Sequence, residues 1–408
     1  MGFSYSVDPT DLSQTGWGVL FPEGSDPAIE EALEPLLNLR RAQAKNRFWR
    51  FSHRGGESSQ DFLWYRHGAH PGILDTFKMP FYLLLVGDLE EIPFDFQNGL
   101  DIQLATGRLS FEDVADYARY ARGAVETEQN KQAQRDRAAF FVTQNDTATS
   151  NFAHAVAEPL LQSFEKSATR FDLETYTNEH ATKARLIETL SDASSPLRFL
   201  LISSHGVALR AGQENQQLIQ GAVVCQDWPG GSRVQKEHYF AASDVPQSAN
   251  ISGMIGFLLG DFSGATGVTE EIFYGFDNGM SSTQTRQKPF IANLPRALLS
   301  HPRGGALAIL ARCGRSWVYS DGSGAGRNLD WLRAALEDSI LSLIQGFPIG
   351  FSHKALARAY SELMATPSFL SEELGAQQTP EEQLALDWAI KANLRNFMIL
   401  GDPAARLL

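Results

Sequence analysis

The chain has 408 residues, of which 43% are hydrophobic and 20% charged, so it can bury a substantial core and is not a mainly disordered protein. Its 35 Lys and Arg residues against 48 Asp and Glu give a net charge of −13, which argues against nucleic-acid binding by charge. The two cysteines, Cys225 and Cys313, are too few for a disulfide scaffold or a cysteine-rich zinc site. Because no apolar run approaches the roughly 20 residues of a membrane helix, and the first residues lack the pattern of a secretory signal, we expect a cytoplasmic protein without a membrane partner.

The first part of the chain predicts an α/β unit. Residues 27–47 show apolar side chains at helical spacing, with Asp26 as a candidate N-cap. The apolar run Tyr82–Val86 ends at Gly87, which is typical of a strand buried on both faces of a parallel sheet. A strand and turn are predicted over 100–111, and an amphipathic helix over 112–128.

A polar stretch at 128–137 lacks apolar periodicity and is the best candidate for a boundary. It divides the chain into an N-terminal α/β subdomain at 1–130 and a second domain at 136–408. In the second domain strands alternate with helices, which predicts a mostly parallel sheet with helices on both faces. The predicted strands and helices, with the segments that continue the alternation, lie at 138–144, 149–165, 169–176, 181–191, 197–206, 221–226, 251–264, 295–302, 305–314, 329–346 and 352–365, before a last helix and strand.

Two of these strands end in residues that can carry chemistry. His205 and Gly206 follow the apolar strand LRFLL, and a histidine can act as a base near neutral pH. A glycine there lets its backbone N–H approach a bound carbonyl oxygen closely. Asp261 follows a second apolar strand, at a turn rich in glycine. Because reactive groups gather at the carboxyl ends of strands in open α/β sheets, the two residues are expected to face one cleft.

These features resemble the gingipain-type peptidases, peptidase family C25, within the caspase-like and CHAT-like group of cysteine peptidases. The resemblance rests on an apolar strand ending in His-Gly and on a second apolar strand ending at the nucleophile position. It extends to the segments FYLLLVGDLEEIPFDFQ, LATGRLSF, LPRALLSHPRGGALAILARCGRSWVYS and FMILGDPAARL, in that order. The resemblance implies a caspase-like fold built from two fused subdomains.

The resemblance also implies roles for individual residues. His205 matches the catalytic histidine, Gly206 the glycine of the oxyanion hole, and Trp317 the tryptophan of the substrate-pocket wall. We also assign Ser204, beside the histidine, to the substrate pocket. At the position of the catalytic cysteine this chain has Asp261, and that departure decides the functional prediction.

An aspartate at the nucleophile position disfavours amide hydrolysis. A cysteine peptidase attacks with a thiolate, whereas a carboxylate attacking an amide would form an anhydride that easily reverts. The carboxylate charge also repels the developing oxyanion, by about 4 kcal/mol at ~4 Å and an effective dielectric near 20, or roughly three powers of ten in rate. We therefore predict a pseudo-peptidase that binds a peptide or protein partner, as part of a larger regulatory or defence assembly.

Two other classes of function stay open from the sequence. The chain could be an active cysteine endopeptidase that cleaves a protein substrate with His205 as base. In that case either Cys313, at the end of the strand ALAILARC, is the nucleophile, or Asp261 is an engineered replacement of a native cysteine. Alternatively, Asp261 is a carboxylate nucleophile with His205 as base, which requires a substrate with a good leaving group.

The remaining motifs indicate less specific roles. His67 and His70 are two possible metal ligands without a third nearby, so we predict neither a metal site nor a cofactor. Cys225 is interpreted as a core residue. The Gly- and Ser-rich segment 314–328 fits either a surface loop or a loop that contacts a partner.

Overall fold

The computed structural model describes residues 7–129, 136–267, 269–273, 280–284, 288–317, 329–365 and 380–407. The strands are β1 (Trp17–Pro22), β2 (Phe48–His53), β3 (Tyr82–Val86), β4 (Ala105–Leu109), β5 (Asp136–Val142), β6 (Phe171–Thr177), β7 (Leu197–Ser203), β8 (Val223–Val224), β9 (Tyr239–Phe240), β10 (Ile255–Leu258), β11 (Ala265–Thr266), β12 (Thr269–Phe273), β13 (Met280–Gln284), β14 (Phe290–Ile291), β15 (Ala308–Arg312) and β16 (Phe397–Gly401).

The helices connect these strands. They are α1 (Leu12–Thr15), α2 (Pro27–Ala44), α3 (Phe94–Asp101), α4 (Val114–Gln129), α5 (Thr147–Phe152), α6 (Glu158–Ser167), α7 (Lys183–Ser191), α8 (Gln216–Ile219), α9 (Asn293–Leu299), α10 (Asp330–Ile344), α11 (Ile349–Ala365) and α12 (Pro380–Arg395). Single turns of 3₁₀ or π helix lie at Lys45–Arg47, Asp61–Arg66, Ala153–Ala157, Asn178–His180, Lys236–His238 and Ala242–Asp244.

A ten-stranded sheet in the order β2-β1-β3-β4-β16-β15-β10-β7-β5-β6 forms the centre of the molecule. Every neighbouring pair is parallel except β15 and β16, which are antiparallel. The sheet therefore consists of two parallel halves that run in opposite directions. We call β2, β1, β3, β4 and β16 the first half, and β15, β10, β7, β5 and β6 the second half.

The sheet is buried because its central strands are apolar throughout. All five residues of β3 are buried, as the uninterrupted run Tyr82–Val86 predicts. In the second half, the rings of Phe140, Phe164, Phe199 and Phe257 pack against one another across β5, α6, β7 and β10, with centroids 4.8–5.8 Å apart. The prediction of a mostly parallel α/β sheet is confirmed.

The helix predicted over 27–47 is α2, and the Asp26 carboxylate caps it by accepting a hydrogen bond from the Ala28 N–H at 2.9 Å. Strands β1 and β2 were not predicted. Residues 130–135, the centre of the predicted boundary, lie outside the described residues. The division into 1–130 and 136–408 stays a prediction, while the sheet itself is continuous across β4, β16 and β15.

Buried charges join the chain's two ends at the first half of the sheet. The Asp402 carboxylate, directly after β16, accepts hydrogen bonds from Arg40 Nε at 2.6 Å, from the Trp17 indole at 3.0 Å and from the Ala404 N–H at 3.0 Å. Arg40 also pairs with Glu128 of α4. These contacts hold α2, α4 and β1 to the C-terminal strand. In the described part of the chain, no helix is long and apolar enough to cross a bilayer.

Candidate active site

Four neighbouring strands of the second half place their carboxyl ends side by side. The strands β15, β10, β7 and β5 are parallel and adjacent, so the residues that follow them meet at one edge of the sheet. Asp146 follows β5, His205 follows β7, Asp261 follows β10, and Ser316 follows β15. We call these four residues the tip row. The expectation that His205 and Asp261 stand at neighbouring strand ends agrees with this arrangement.

The imidazole of His205 is hydrogen-bonded to Asp146 rather than to Asp261. Its Nε2 lies 2.8 Å from Asp146 Oδ2. The other oxygen, Oδ1, accepts hydrogen bonds from the Thr149 N–H at 3.0 Å and hydroxyl at 2.9 Å, which caps α5. Burial would raise the pKa of the Asp146 carboxyl, but the hydrogen bonds from Thr149 and His205 hold it below its usual value. An ionised Asp146 only accepts hydrogen bonds, so Nε2 of His205 is the donor to it, and in the neutral imidazole the lone pair is on Nδ1.

The hydrogen-bonded pair of His205 and Asp146, which we call the His205–Asp146 dyad, is accessible and has an aromatic neighbour. The side chains of His205 and Asp146 are 28% and 36% exposed, so solutes can reach them. The Trp228 ring packs edge-on to the imidazole, with centroids 5.9 Å apart. Asn145 fixes this tryptophan, because its side-chain NH₂ donates to the carbonyl oxygens of Trp228 at 2.7 Å and Cys225 at 3.0 Å.

The backbone of β7 and β10 packs tightly around Asp261. A Cβ atom on Gly206 would lie 1.8 Å from the Asp261 carbonyl oxygen, so only glycine fits beside it. Phe262, the next residue, has a φ of 55°, in the left-handed region that non-glycine residues rarely adopt. Its N–H donates to the Gly314 carbonyl at 2.9 Å, which ties the turn to the end of β15. The positive φ of Phe262 is a strained backbone conformation, and it lies in the turn that carries Asp261.

The Asp261 carboxyl group is desolvated yet has partners for its charge. Burial raises its pKa, while the Ser316 N–H, which donates to Oδ1 at 2.6 Å, and the positive charges of Arg312 and His205 act in the opposite direction. Arg312 is fully buried. Burial lowers the pKa of its guanidinium to about 10, against the nearby Asp261 charge. The charges of Arg312 and His205 thus both act on the Asp261 carboxyl group.

The backbone of Gly206 is bridged to β8, but its N–H is not used in that bridge. Gly206 and Val223 face each other in an antiparallel bridge, but its hydrogen bonds are made by their neighbours, from Val207 N to Ala222 O at 2.8 Å and from Val224 N to His205 O at 2.9 Å. In the described residues no acceptor is found for the Gly206 N–H. This geometry is compatible with the predicted oxyanion-hole role.

The predicted pocket tryptophan is held by the C-terminal helix. Asn393 of α12 accepts the Trp317 N–H at 3.0 Å and donates to the Trp317 carbonyl at 2.7 Å. The Trp317 ring packs edge-on against Trp388 of the same helix, with centroids 4.9 Å apart. Ser204 donates its hydroxyl to the His205 carbonyl at 2.9 Å. The substrate-pocket roles of Trp317 and Ser204 stay predictions.

Neither thiol is placed to act as a nucleophile. Cys225 and Cys313 are buried, and burial raises the pKa of each thiol well above its ordinary value. For Cys313 the charges of Arg108 and Arg312 act in the opposite direction but do not overcome burial. A thiol that stays protonated at neutral pH argues against the hypothesis of a Cys313 nucleophile.

The histidines His67 and His70 are not part of the tip row. His67 packs edge-on against Phe51 and Phe62, with centroids 4.8 and 4.6 Å away, as a core residue does. His70 is exposed. Across the part of the chain that the structure describes, no group of three His, Cys, Asp or Glu side chains could hold a metal ion. Most of the 314–328 segment, from 318 on, lies outside the described residues.

Three residues of the site, Asp146, Trp228 and Asn393, were not predicted from the sequence. A signal for Asp146 was present, since it follows the predicted strand 138–144 just as His205 follows its own strand. For Trp228 and Asn393 the local sequence holds no such signal, because their contacts to the site cross long stretches of chain.

Comparison with known proteins adds a family and a fold. The model of peptidase family C25 matches residues 74–408. The chain is similar to a solved structure titled "Structure of Protease", with a TM-score of 0.56, 12% sequence identity, and coverage of 97% of this chain and 79% of that chain. At that identity the likeness shows the fold alone, and it agrees with the expected caspase-like α/β fold. No curated protein matches the chain.

Proposed function

The chain belongs to peptidase family C25, and from that membership we propose that it is a pseudo-peptidase, a gingipain-like cysteine peptidase homologue that binds peptide segments without cleaving them. The observation that carries the proposal is Asp261, which stands at the tip of β10 beside the His205–Asp146 dyad, where a cysteine peptidase needs its thiol.

The chemistry of Asp261 supports the proposal in either protonation state. Burial raises the pKa of Asp261 and so stabilises the neutral acid, a form in which the carboxyl group has no nucleophilic anion. As an anion, it repels the oxyanion that amide attack would create, by about 4 kcal/mol at ~4 Å. The two buried thiols offer no substitute. Amide hydrolysis therefore lacks an accessible thiol nucleophile in the described part of the chain.

The cleft nevertheless keeps groups that can hold a peptide. The Gly206 N–H is free to donate to a carbonyl, and the rings of Trp228 and Trp317 are half-buried. Aromatic rings with one exposed side are common contact residues in binding sites. We place this binding role in a regulatory or defence assembly, in line with the family resemblance.

The test is a peptide-reporter cleavage assay on the native chain and on four variants. Native protein, Cys313→Ala and Asp261→Ala are expected at background, while Asp261→Cys gains cleavage that a further His205→Ala substitution removes. A peptide cleaved by Asp261→Cys should bind the native protein and be recovered intact. Native activity that Cys313→Ala abolishes would overturn the proposal in favour of an active cysteine peptidase.

A gain of cleavage without binding by the native chain would separate the two parts of the proposal. It would support the assignment of Asp261 to the nucleophile position and contradict the binding role. Fluorescence anisotropy of the labelled peptide supplies that measurement.

A further inference from the structure

Two side chains from distant parts of the sequence hold the backbone of Ser316 and Trp317, which follow β15. From the tip of β10, Asp261 Oδ1 accepts the Ser316 N–H at 2.6 Å. From α12, Asn393 accepts the Trp317 N–H at 3.0 Å and donates to the Trp317 carbonyl oxygen at 2.7 Å. Both N–H groups of this dipeptide, and the carbonyl of its second residue, are therefore bonded to side chains.

Asn393 is itself held in a single orientation. Its side chain is fully buried, and its Oδ1 accepts Arg312 Nη1 at 3.2 Å as well as the Trp317 N–H. Because two donors face the amide oxygen, the NH₂ group must point to the Trp317 carbonyl. Arg312 is in turn fixed by its position over the Phe397 ring, 4.5 Å from the centroid. A buried amide with these partners is a rigid support for the backbone it contacts.

We propose that Asp261 and Asn393 are positioning residues of the peptide-binding cleft, which together hold Ser316 and Trp317 in the arrangement that a bound peptide contacts. This inference rests on the proposed peptide-binding function and gives the residue at the nucleophile position a role of its own. A thiol is only a weak hydrogen-bond acceptor, so a cysteine at that position could not hold the Ser316 N–H as the carboxyl group does.

The hydrogen bond from the Ser316 N–H does not require a charged Asp261. Burial raises the pKa of this carboxyl group and so stabilises its neutral form, yet a carboxyl oxygen accepts a hydrogen bond in either protonation state. Asparagine keeps an oxygen at the same place without a charge, whereas alanine removes it. The pair Asp261→Asn and Asp261→Ala therefore separates the loss of the hydrogen bond from the loss of the ionisable group.

Holding the dipeptide before a ligand arrives should strengthen binding. A segment that is already ordered loses less conformational freedom when a peptide docks on it. The Trp317 ring is also packed, edge-on against Trp388 with centroids 4.9 Å apart. Once the backbone bonds are lost, this ring contact alone has to keep the tryptophan in place, so we expect weaker affinity rather than an altered fold.

The first measurement is hydrogen–deuterium exchange of the full chain without ligand, read by mass spectrometry on the fragment that contains Ser316 and Trp317. Asp261→Ala and Asn393→Ala should each exchange there at least about fivefold faster than native protein, the factor that one hydrogen bond supplies. Asp261→Asn should exchange more slowly than Asp261→Ala by the same factor. Asp95→Ala, at an exposed aspartate of α3, is the matched control and should exchange like native protein.

The second measurement is the anisotropy of the fluorescein-labelled reporter peptide of the cleavage assay. Asp261→Ala should bind it at least about fivefold more weakly than Asp261→Asn. Equal exchange in these two variants, faster exchange spread over the whole sheet, or faster local exchange with equal peptide affinity would each overturn the proposal. If Asn393→Ala fails to fold by circular dichroism, the two Asp261 variants decide. A native chain that binds no peptide contradicts the proposed function, and the exchange rates still show whether the two side chains hold the dipeptide.

Discussion

A buried arginine in the first half of the sheet and the strand ends of the second half differ in how completely their polar atoms are paired. In the first half, the Arg108 guanidinium donates to the carbonyls of Gly87, Asp88 and Ile92 and to Gln97, at 2.7–2.9 Å. In the second half, Asp261 Oδ2, His205 Nδ1 and Arg312 Nη2 lack partners among the described residues. Charges that are fully paired inside the protein maintain the fold, while charges left open at strand tips can meet a ligand.

The largest expected effect comes from removing a buried charge partner in the first half of the sheet. Asp402→Ala removes the acceptor for Arg40, for the Trp17 indole and for the Ala404 N–H, all buried. We expect a loss of about 3–5 kcal/mol in the free energy of unfolding, because a buried cation loses a partner. Denaturant titration measures it, with Arg50→Ala as control.

That control removes an exposed ion pair. Arg50 is half exposed and pairs with Glu30 at 2.7 Å, so its loss should change the free energy of unfolding by less than about 1 kcal/mol. Equal effects of Asp402→Ala and Arg50→Ala would contradict a stabilising role for the buried charges of the first half.

The next largest effect is expected from disturbing the close backbone contact between Gly206 and Asp261 in the second half of the sheet. Gly206→Ala would place a Cβ 1.8 Å from the Asp261 carbonyl oxygen, so β7 and β10 must shift apart. We expect a loss of about 1–3 kcal/mol in the free energy of unfolding. Gly55→Ala is the matched control, because a Cβ at Gly55 meets no atom within 4 Å. An unchanged free energy of unfolding in Gly206→Ala would show that Gly206 and the Asp261 carbonyl lie farther apart than this.

The pH dependence of stability tests the burial of Asp261. Burial raises its pKa above 3.8, so the folded state holds this proton more tightly than the unfolded state does. That contribution to stability is fully present below 3.8 and is lost as the pH rises through the folded-state pKa. Native protein should therefore lose stability relative to Asp261→Asn between about pH 4 and neutral pH. Denaturant titrations across that range measure the difference, and a constant difference would contradict the raised pKa.

The smallest effect, of opposite sign, is expected at Asp146. Its pKa is lowered, so its contribution is present above the ordinary value of 3.8 and is lost as the pH falls through the folded-state pKa. Asp146→Asn keeps a capping side chain for α5, so stability at neutral pH should change by less than about 1 kcal/mol. The native advantage over Asp146→Asn should shrink in acid when measured by the same titrations. A stability difference in favour of the native protein that grows in acid would contradict the lowered pKa of Asp146.

Local patterns predicted the elements that carry the site, but not their order in space. The apolar runs that end in His205 and Asp261 marked β7 and β10 because strands buried on both faces are continuous apolar runs. The position of β16 between β4 and β15 depends on contacts between the two ends of the chain, which no local pattern encodes. Strand β2 was not predicted because its six residues form no continuous apolar run, and only Phe51 and His53 are buried. Asp146 was overlooked although it follows the predicted strand 138–144, because its contact with His205 depends on β5 lying beside β7 in the sheet.

The most direct test of the central claim, that Asp261 occupies the nucleophile position beside a competent His205–Asp146 dyad, is the rate of thiol alkylation in Asp261→Cys. The introduced thiol should react with iodoacetamide at pH 6 much faster than the same thiol in Asp261→Cys/His205→Ala, because the imidazole promotes the thiolate. The native protein should stay unmodified while folded, since Cys225 and Cys313 are buried. Equal alkylation rates with and without His205 would contradict the claim.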